Sequence, residues 1–345
     1  MNRSCSGFYH DPPVWIDARP ADFDQLQGPT TTPWQQSSFD SFREEVFREK
    51  ITESIELRVT REGRFEFQFA GWRPGTFPRE VTDKPTPFEK TAEVILNRTL
   101  VMNTYLAFMY SRLLGEVKLS IDRMVITPEL VISLDSLDDN SGMGFGNTRV
   151  SHLALSSFPS TYRTGLPFSM DDRVSMRAIV PLNVVKEAAK DLKALLKDYD
   201  VDGLVLCDLF LRASKAYQEH NYSLALITNW AVIENLLQNL WRQYQDDNAT
   251  RDGKLFIDSK RREKLQDSRT FTAAVVIEAL SLNSVITHEL YPRLSEIRKA
   301  RNDWTHDLKK ISADTAHLST ASCEEMFGVV KNITLRGQTG LKLHG

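Results

Sequence analysis

Cysteine is scarce in this chain. Three occur among 345 residues, Cys5, Cys207 and Cys323, far apart and without a CxxC pair. That spacing excludes a disulfide framework and a cysteine-rich zinc site, and it predicts a reducing compartment, the cytoplasm. Long apolar runs are lacking too. The most apolar stretch, residues 100–110, is broken by Asn103 and Thr104 and is about half the ~20 residues that a membrane span requires. It predicts a core helix and no membrane association. Residues 1–11 hold one Arg and no apolar segment, so no secretion signal is expected. Charge of one sign is also absent: 43 Lys+Arg against 46 Asp+Glu leave −3. A protein that coats nucleic acid through a broad basic field is thereby excluded, whereas a small nucleic-acid site is not.

Familiar catalytic signatures are missing as well. No GxSxG occurs, and Gly142-Met143-Gly144-Phe145-Gly146 lacks the Lys-Ser/Thr of a phosphate loop, so it reads as a loop. His152, His220, His288 and His317 are scattered singly, without metal-ligand spacing. Neither a metal nor a cofactor is expected.

What is present fits a globular protein of two domains: 41% hydrophobic residues, 26% charged, and length for two cores. Residues 1–47 cluster Pro, Ser, Thr and Gln without a sustained period and read as an irregular lead-in. Residues 48–202 read as a mixed α/β domain whose role, sensor or regulator, the residues do not specify. Ile55, Leu57 and Val59 alternate with polar residues, Glu62-Gly63 supplies a turn, and Phe65, Phe67 and Phe69 alternate again. That pattern predicts a β-hairpin with one buried face. Thr86-Pro87-Phe88-Glu89 carries a capping box with Pro at the first helical position. The helix it opens should bury Val94, Ile95, Leu96, Val101, Leu106 and Leu113 and stop at Gly115. Residues 119–134 predict two short strands or one interrupted at Pro128. A further helix from Leu182 should end in a turn at Asp200-Val201-Asp202-Gly203.

Beyond Gly203 only helical periods remain, so residues 203–336 read as an all-α, up-and-down bundle and residues 337–345 as a tail. The fold class expected is α+β. Helices are predicted through Leu206 to Tyr217, Tyr222 to Tyr244, Phe271 to Leu280, Thr287 to Thr305 and Ser312 to Thr334. The last should turn Ala316, Cys323, Phe327, Val330 and Ile333 inward. Residues 245–269 read as a polar loop. Between Arg251 and Arg269 it holds 7 Lys+Arg against 4 Asp+Glu, and it includes Lys260-Arg261-Arg262. These three, with Lys309 and Lys310, are candidate RNA contacts if the chain binds RNA.

The chemistry concentrates in the fourth of these helices. Leu290, Leu294 and Ile297 form its inner stripe, and the next position is Arg301. A guanidinium there is costly unless it is paired or lines a polar groove. Glu234, beside the inner stripe of the second helix, is the candidate partner. One reading is therefore a structural Arg301–Glu234 pair within a non-catalytic helical module that binds a nucleotide or a protein.

The other reading rests on Arg301-Asn302-Asp303-Trp304-Thr305-His306. An Arg followed by Asn, with a His after four intervening residues near the end of the penultimate helix, resembles the HEPN family signature. The preceding apolar helix, with Glu234 embedded in it, is similar to the family pattern. The resemblance spans about residues 203–336. It implies a metal-independent endoribonuclease whose Arg and His act from two protomers, hence a homodimer with RNA as partner. It also implies service as a toxin or anti-phage effector, under a regulatory partner or a phage-derived trigger. Arg301, Asn302 and His306 would be catalytic, with Glu234, Asp303 and Arg298 supporting. The family's position for a Tyr modified by a paired antitoxin holds Leu308 here. Asp303 and Asp307 place negative charge beside the site, which Arg298, Lys299, Lys309 and Lys310 offset. Arg301 and His306 lie five positions apart, about 140° around an ideal helix. For both to meet one substrate, the helix must loosen near Trp304 or a second subunit must complete the site. By halves, residues 1–200 carry 24 Lys+Arg against 28 Asp+Glu and residues 201–345 carry 19 against 18, so affinity for RNA would come from a few local cations.

Overall fold

The alternation around Gly63 produces the expected hairpin. In the computed structural model, which describes residues 5–11, 14–20, 44–70, 87–134, 177–197, 201–251 and 253–337, strand β4 (Ile55–Thr60) pairs antiparallel with β5 (Arg64–Phe69). Gly63 turns between them at φ +77, a conformation that favours glycine. The hairpin is central and buried on both faces. Arg58, Arg64 and Glu66, which alternation would send to solvent, are 4%, 2% and 0% exposed and pair with one another. The sheet continues past both edges of the hairpin, in the order β3-β4-β5-β1-β6 with β3 at Glu45–Lys50, β1 at Cys5–Tyr9 and β6 at Ile132–Leu134.

Part of the segment expected to be irregular is therefore strand. All five β1 residues are buried, so no polar alternation marks it, and its partner β5 lies far away in sequence. Strand β2 (Val14–Ile16) pairs in parallel with β7 (Ala178–Val180). Of the two short strands, or one interrupted strand, expected at 119–134, the structure has β6 alone, preceded by a short 3-10 turn at Pro128–Leu130.

Helix α1 (Pro87–Arg112) begins at the predicted proline. It runs through Gly115 in a π-helical turn, Leu113–Val117, and stops at Lys118, whose φ is +58. Val101, Leu106 and Leu113 are buried as expected, whereas Val94 and Leu96 are exposed. Tyr105 sets its ring against Phe65 and Phe67 of the sheet, with centroids 5.7 and 5.8 Å away. Asn103, which broke the apolar run, is fully buried and satisfied: its Oδ1 accepts from the Ile126 N–H at 2.6 Å and its Nδ2 donates to the Ile126 carbonyl at 3.0 Å. Helix α2 (Leu182–Lys197) packs on α1, joined to it by the bidentate Arg112–Asp191 pair at 2.7 and 2.8 Å.

Helix α3 (Val201–Gln218) includes Gly203, so the turn predicted there is helical. The chain divides into two compact units, residues 1–208 and 209–345. The second unit holds α4 (Tyr222–Asp247), a two-residue hairpin of β8 (Thr250–Arg251) and β9 (Lys254–Leu255), α5 (Ser259–Gln266), α6 (Ala273–Leu282), α7 (Leu290–Asp307) and α8 (Ala313–Lys331). The α+β class with a helical C-terminal region is thus observed. Asn221 and Ser312 cap α4 and α8 with side-chain bonds at 3.2 and 3.1 Å. Between α4 and α8 the core is partly polar, where buried Asn229 donates to Ser319 and Thr320 at 3.0 and 2.9 Å. Val330 and Ile333 are half-buried rather than inward, Ile333 lying beyond the end of α8. The three cysteines are buried and form no disulfide with one another. Among the described residues, no helix is long and apolar enough to cross a membrane. The glycine-rich stretch 142–146, His152, Thr86 and residues 338–345 lie outside the described residues.

Candidate functional site on the penultimate helix

Leu290, Leu294 and Ile297 are fully buried against the bundle, and the stripe they define delivers Arg301 to the bundle edge. The Arg301 side chain keeps 33% of its surface exposed. Its Nη1 donates to Asn302 Oδ1 at 2.9 Å, and its guanidinium lies 5.8 Å from the ring centre of Trp230, which is 3% exposed. Glu234 is within reach but loosely so: Nη2 to Oε2 is 3.8 Å, with 42% of the glutamate side chain exposed. The Arg301–Glu234 pair, one of the two readings of the sequence, is thus present, but long and part-exposed rather than buried. A long, half-solvated contact of this kind contributes ~1 kcal/mol or less, because water screens both charges. Among the described residues the charge of Arg301 is met below 3 Å by a neutral amide alone.

His306 is exposed and makes no hydrogen bond or ion pair among the described residues. The helix does not loosen at Trp304. It runs on to Asp307 and closes on Leu308, whose φ is +52 and whose N–H donates to the Trp304 carbonyl at 2.9 Å. Arg301 and His306 therefore stay about 140° apart on one continuous helix, with about 7.5 Å of axial rise between them. Arg298, Asn302 and His306, spaced i, i+4, i+8, instead share one stripe that borders Arg301.

The surrounding cations divide into occupied and free. Lys309 lies 3.2 Å from Asp303 and 3.5 Å from Asp307, and the Asp303 carboxylate holds its ammonium above the ordinary value. It is thus spent on the acids that flank the site. Arg298 and Lys310 form no ion pair among the described residues. Lys260, Arg261 and Arg262 stand on helix α5 rather than in a loop. Arg262 is paired with Asp246, and Arg261 covers the Phe256 ring at 4.1 Å. Lys264 shares a face with Lys260 and was not singled out from the sequence; the i, i+4 repeat was its signal, visible only once α5 is known to be a helix. Among the described residues no group of three His, Cys, Asp or Glu side chains is gathered as metal ligands.

No family model, no curated protein and no solved structure matches this chain.

Proposed function

We propose that the chain is a metal-independent endoribonuclease of the HEPN type, acting as a homodimer in the cytoplasm as a toxin or anti-phage effector. The observation that carries this reading is that part-exposed Arg301 is met among the described residues by the neutral Asn302 at 2.9 Å and only loosely by Glu234 at 3.8 Å, while the exposed His306 on the same helix end has no hydrogen bond or ion pair among them. Both side chains are available to a ligand. RNA brings its own nucleophile, the 2′-hydroxyl. In this scheme one imidazole takes the 2′-hydroxyl proton or returns a proton to the leaving 5′-oxygen. The 2′-oxygen forms a bond to phosphorus as the 5′-oxygen bond breaks, leaving a 2′,3′-cyclic phosphate and a 5′-hydroxyl. Arg301 offers paired donors to the non-bridging oxygens as charge grows on them, and Asn302 orients the guanidinium. Because one chain points Arg301 and His306 in different directions, the two act on one phosphate from different protomers.

A radiolabelled-RNA cleavage assay on Arg301→Ala, His306→Ala and Glu234→Ala, with urea unfolding of each, tests this. The first two should lose at least about 100-fold in rate, as removal of a positioned acid–base or charge-stabilising group does. All three should stay within about 1 kcal/mol of the parent in stability. Retained cleavage in both site variants would end the nuclease reading. A loss of about 3–5 kcal/mol in Arg301→Ala or Glu234→Ala would instead favour the structural pair of a non-catalytic module.

A further inference from the structure

Between α4 and α6 the chain builds a short basic arm. Gly253, at φ +74, turns the β8–β9 hairpin, Phe256 and Ile257 follow, and α5 buries none of its eight residues. Amphipathic packing therefore does not explain why α5 is there. It is instead pinned from outside: Asp258 accepts the Arg261 N–H at 2.8 Å, Trp241 Nε1 donates to the Leu265 carbonyl at 2.8 Å, and Arg262 pairs with Asp246 on α4. What this arrangement presents to solvent is cationic. Lys260 and Lys264 make no ion pair among the described residues, and they line an open groove of about 730 Å³ with Glu263, Gln266, Asp267 and Arg269. Asp267 is already met by Arg269 at 3.1 Å, and that guanidinium holds its carboxyl below the ordinary range. The two lysines then outnumber the one acid left, Glu263. Next to them the Arg261 guanidinium carbon sits over the Phe256 ring, itself 40% exposed, 4.1 Å from its centroid.

We propose that residues 253–269 form a binding arm for single-stranded RNA. Lys260 and Lys264, one helical turn or about 6 Å apart, take successive phosphates of one strand. Arg261, backed by Phe256, offers a planar cation on which an unstacked base lies. A base inside a duplex exposes no free face to such a platform, which selects single strands. An acidic protein surface would use the lysines but gain nothing from the Arg–Phe stack. The choice of RNA over DNA rests on the nuclease reading above; the arm itself contacts only phosphate and base.

Fluorescence anisotropy on the full-length protein, with a labelled 2′-O-methyl RNA of about twelve nucleotides, separates the arm from the chemistry because that strand lacks the nucleophile. The Lys260→Gln/Lys264→Gln variant should bind about tenfold more weakly. Its log K against log salt should be shallower by about 1.4, the value for two phosphate contacts on a single strand. Phe256→Leu should weaken binding several-fold with the salt slope unchanged. The proposal is overturned if the lysine variant binds like the parent, if the same sequence as a duplex binds equally well, or if a polyglutamate peptide displaces the strand at matching concentration. Cleavage of unmodified RNA is scored separately. Variants of Arg301 and His306 that still cleave refute the nuclease, whereas normal binding by the lysine variant refutes only the arm.

Discussion

Tyr110 shows how a single buried hydroxyl ties together parts of the first unit that lie far apart in sequence. Its oxygen accepts from the Met124 N–H at 2.9 Å and bonds His10 Nε2 at 2.8 Å, while the ring is 3% exposed. Burial pushes the phenol above its ordinary value of about 10, with the Met124 bond and Arg123 pulling back, and Tyr105 is likewise raised by burial. For a group raised in the folded state, the contribution to stability is whole below the unfolded value and is lost as pH climbs toward the folded one. Between pH 7 and about 10 the two phenols should therefore cost nothing, and above that each should remove ~1.4 kcal/mol per pH unit. Tyr110→Phe should cost about 1–3 kcal/mol at pH 7, since it strands the Met124 N–H. It should also have a shallower alkaline decline than the parent, by about one phenol's share. Urea unfolding of parent and variant at pH 7, 9 and 10.5 checks both statements, and parallel pH profiles would refute the second.

At the scale of elements, legibility followed from how each element is held. The hairpin β4–β5 could be read because apolar alternation and a glycine at positive φ coincide within fifteen residues of chain. Strand β1 could not, because it is buried on both sides, so its one polar side chain, Ser6, marks no face, and its pairing with β5 is non-local. Helix α7 was legible from Leu290, Leu294 and Ile297, yet the same pattern overstated the burial of Arg301, since a stripe gives direction around the helix and not depth in the bundle. Helix α5 escaped because it buries nothing and thus carries no period; Asp258, three residues before Arg261, was its one local mark. The same reasoning predicts its fragility. Asp258→Ala should remove about 1 kcal/mol from the start of α5 and speed amide exchange across residues 259–266. Exchange in the buried middle of α4 should not change. Equal acceleration in both helices would mean that α5 is part of the cooperative bundle rather than an arm pinned to it.

For the whole molecule, the decisive quantity is the angle of about 140° between Arg301 and His306 on an unbroken helix. Residues 201–345 carry only 19 Lys+Arg against 18 Asp+Glu, so bulk attraction cannot hold an RNA in place while a single chain reaches around its own helix. The proposed cleft needs Arg301 of one protomer and His306 of another, a requirement that two-fold pairing meets twice over. This makes a sharp prediction for mixed dimers. Arg301→Ala and His306→Ala chains, each inactive alone, should regain activity when co-expressed with different tags. Every heterodimer keeps one cleft with both groups intact and loses the other, and heterodimers form half of a random mixture. The recovered rate should thus be about a quarter of the parent rate. Were one chain to supply both groups to a cleft, no heterodimer would hold a complete pair and the mixture would stay inactive, with dimer formation verified by tandem-tag purification.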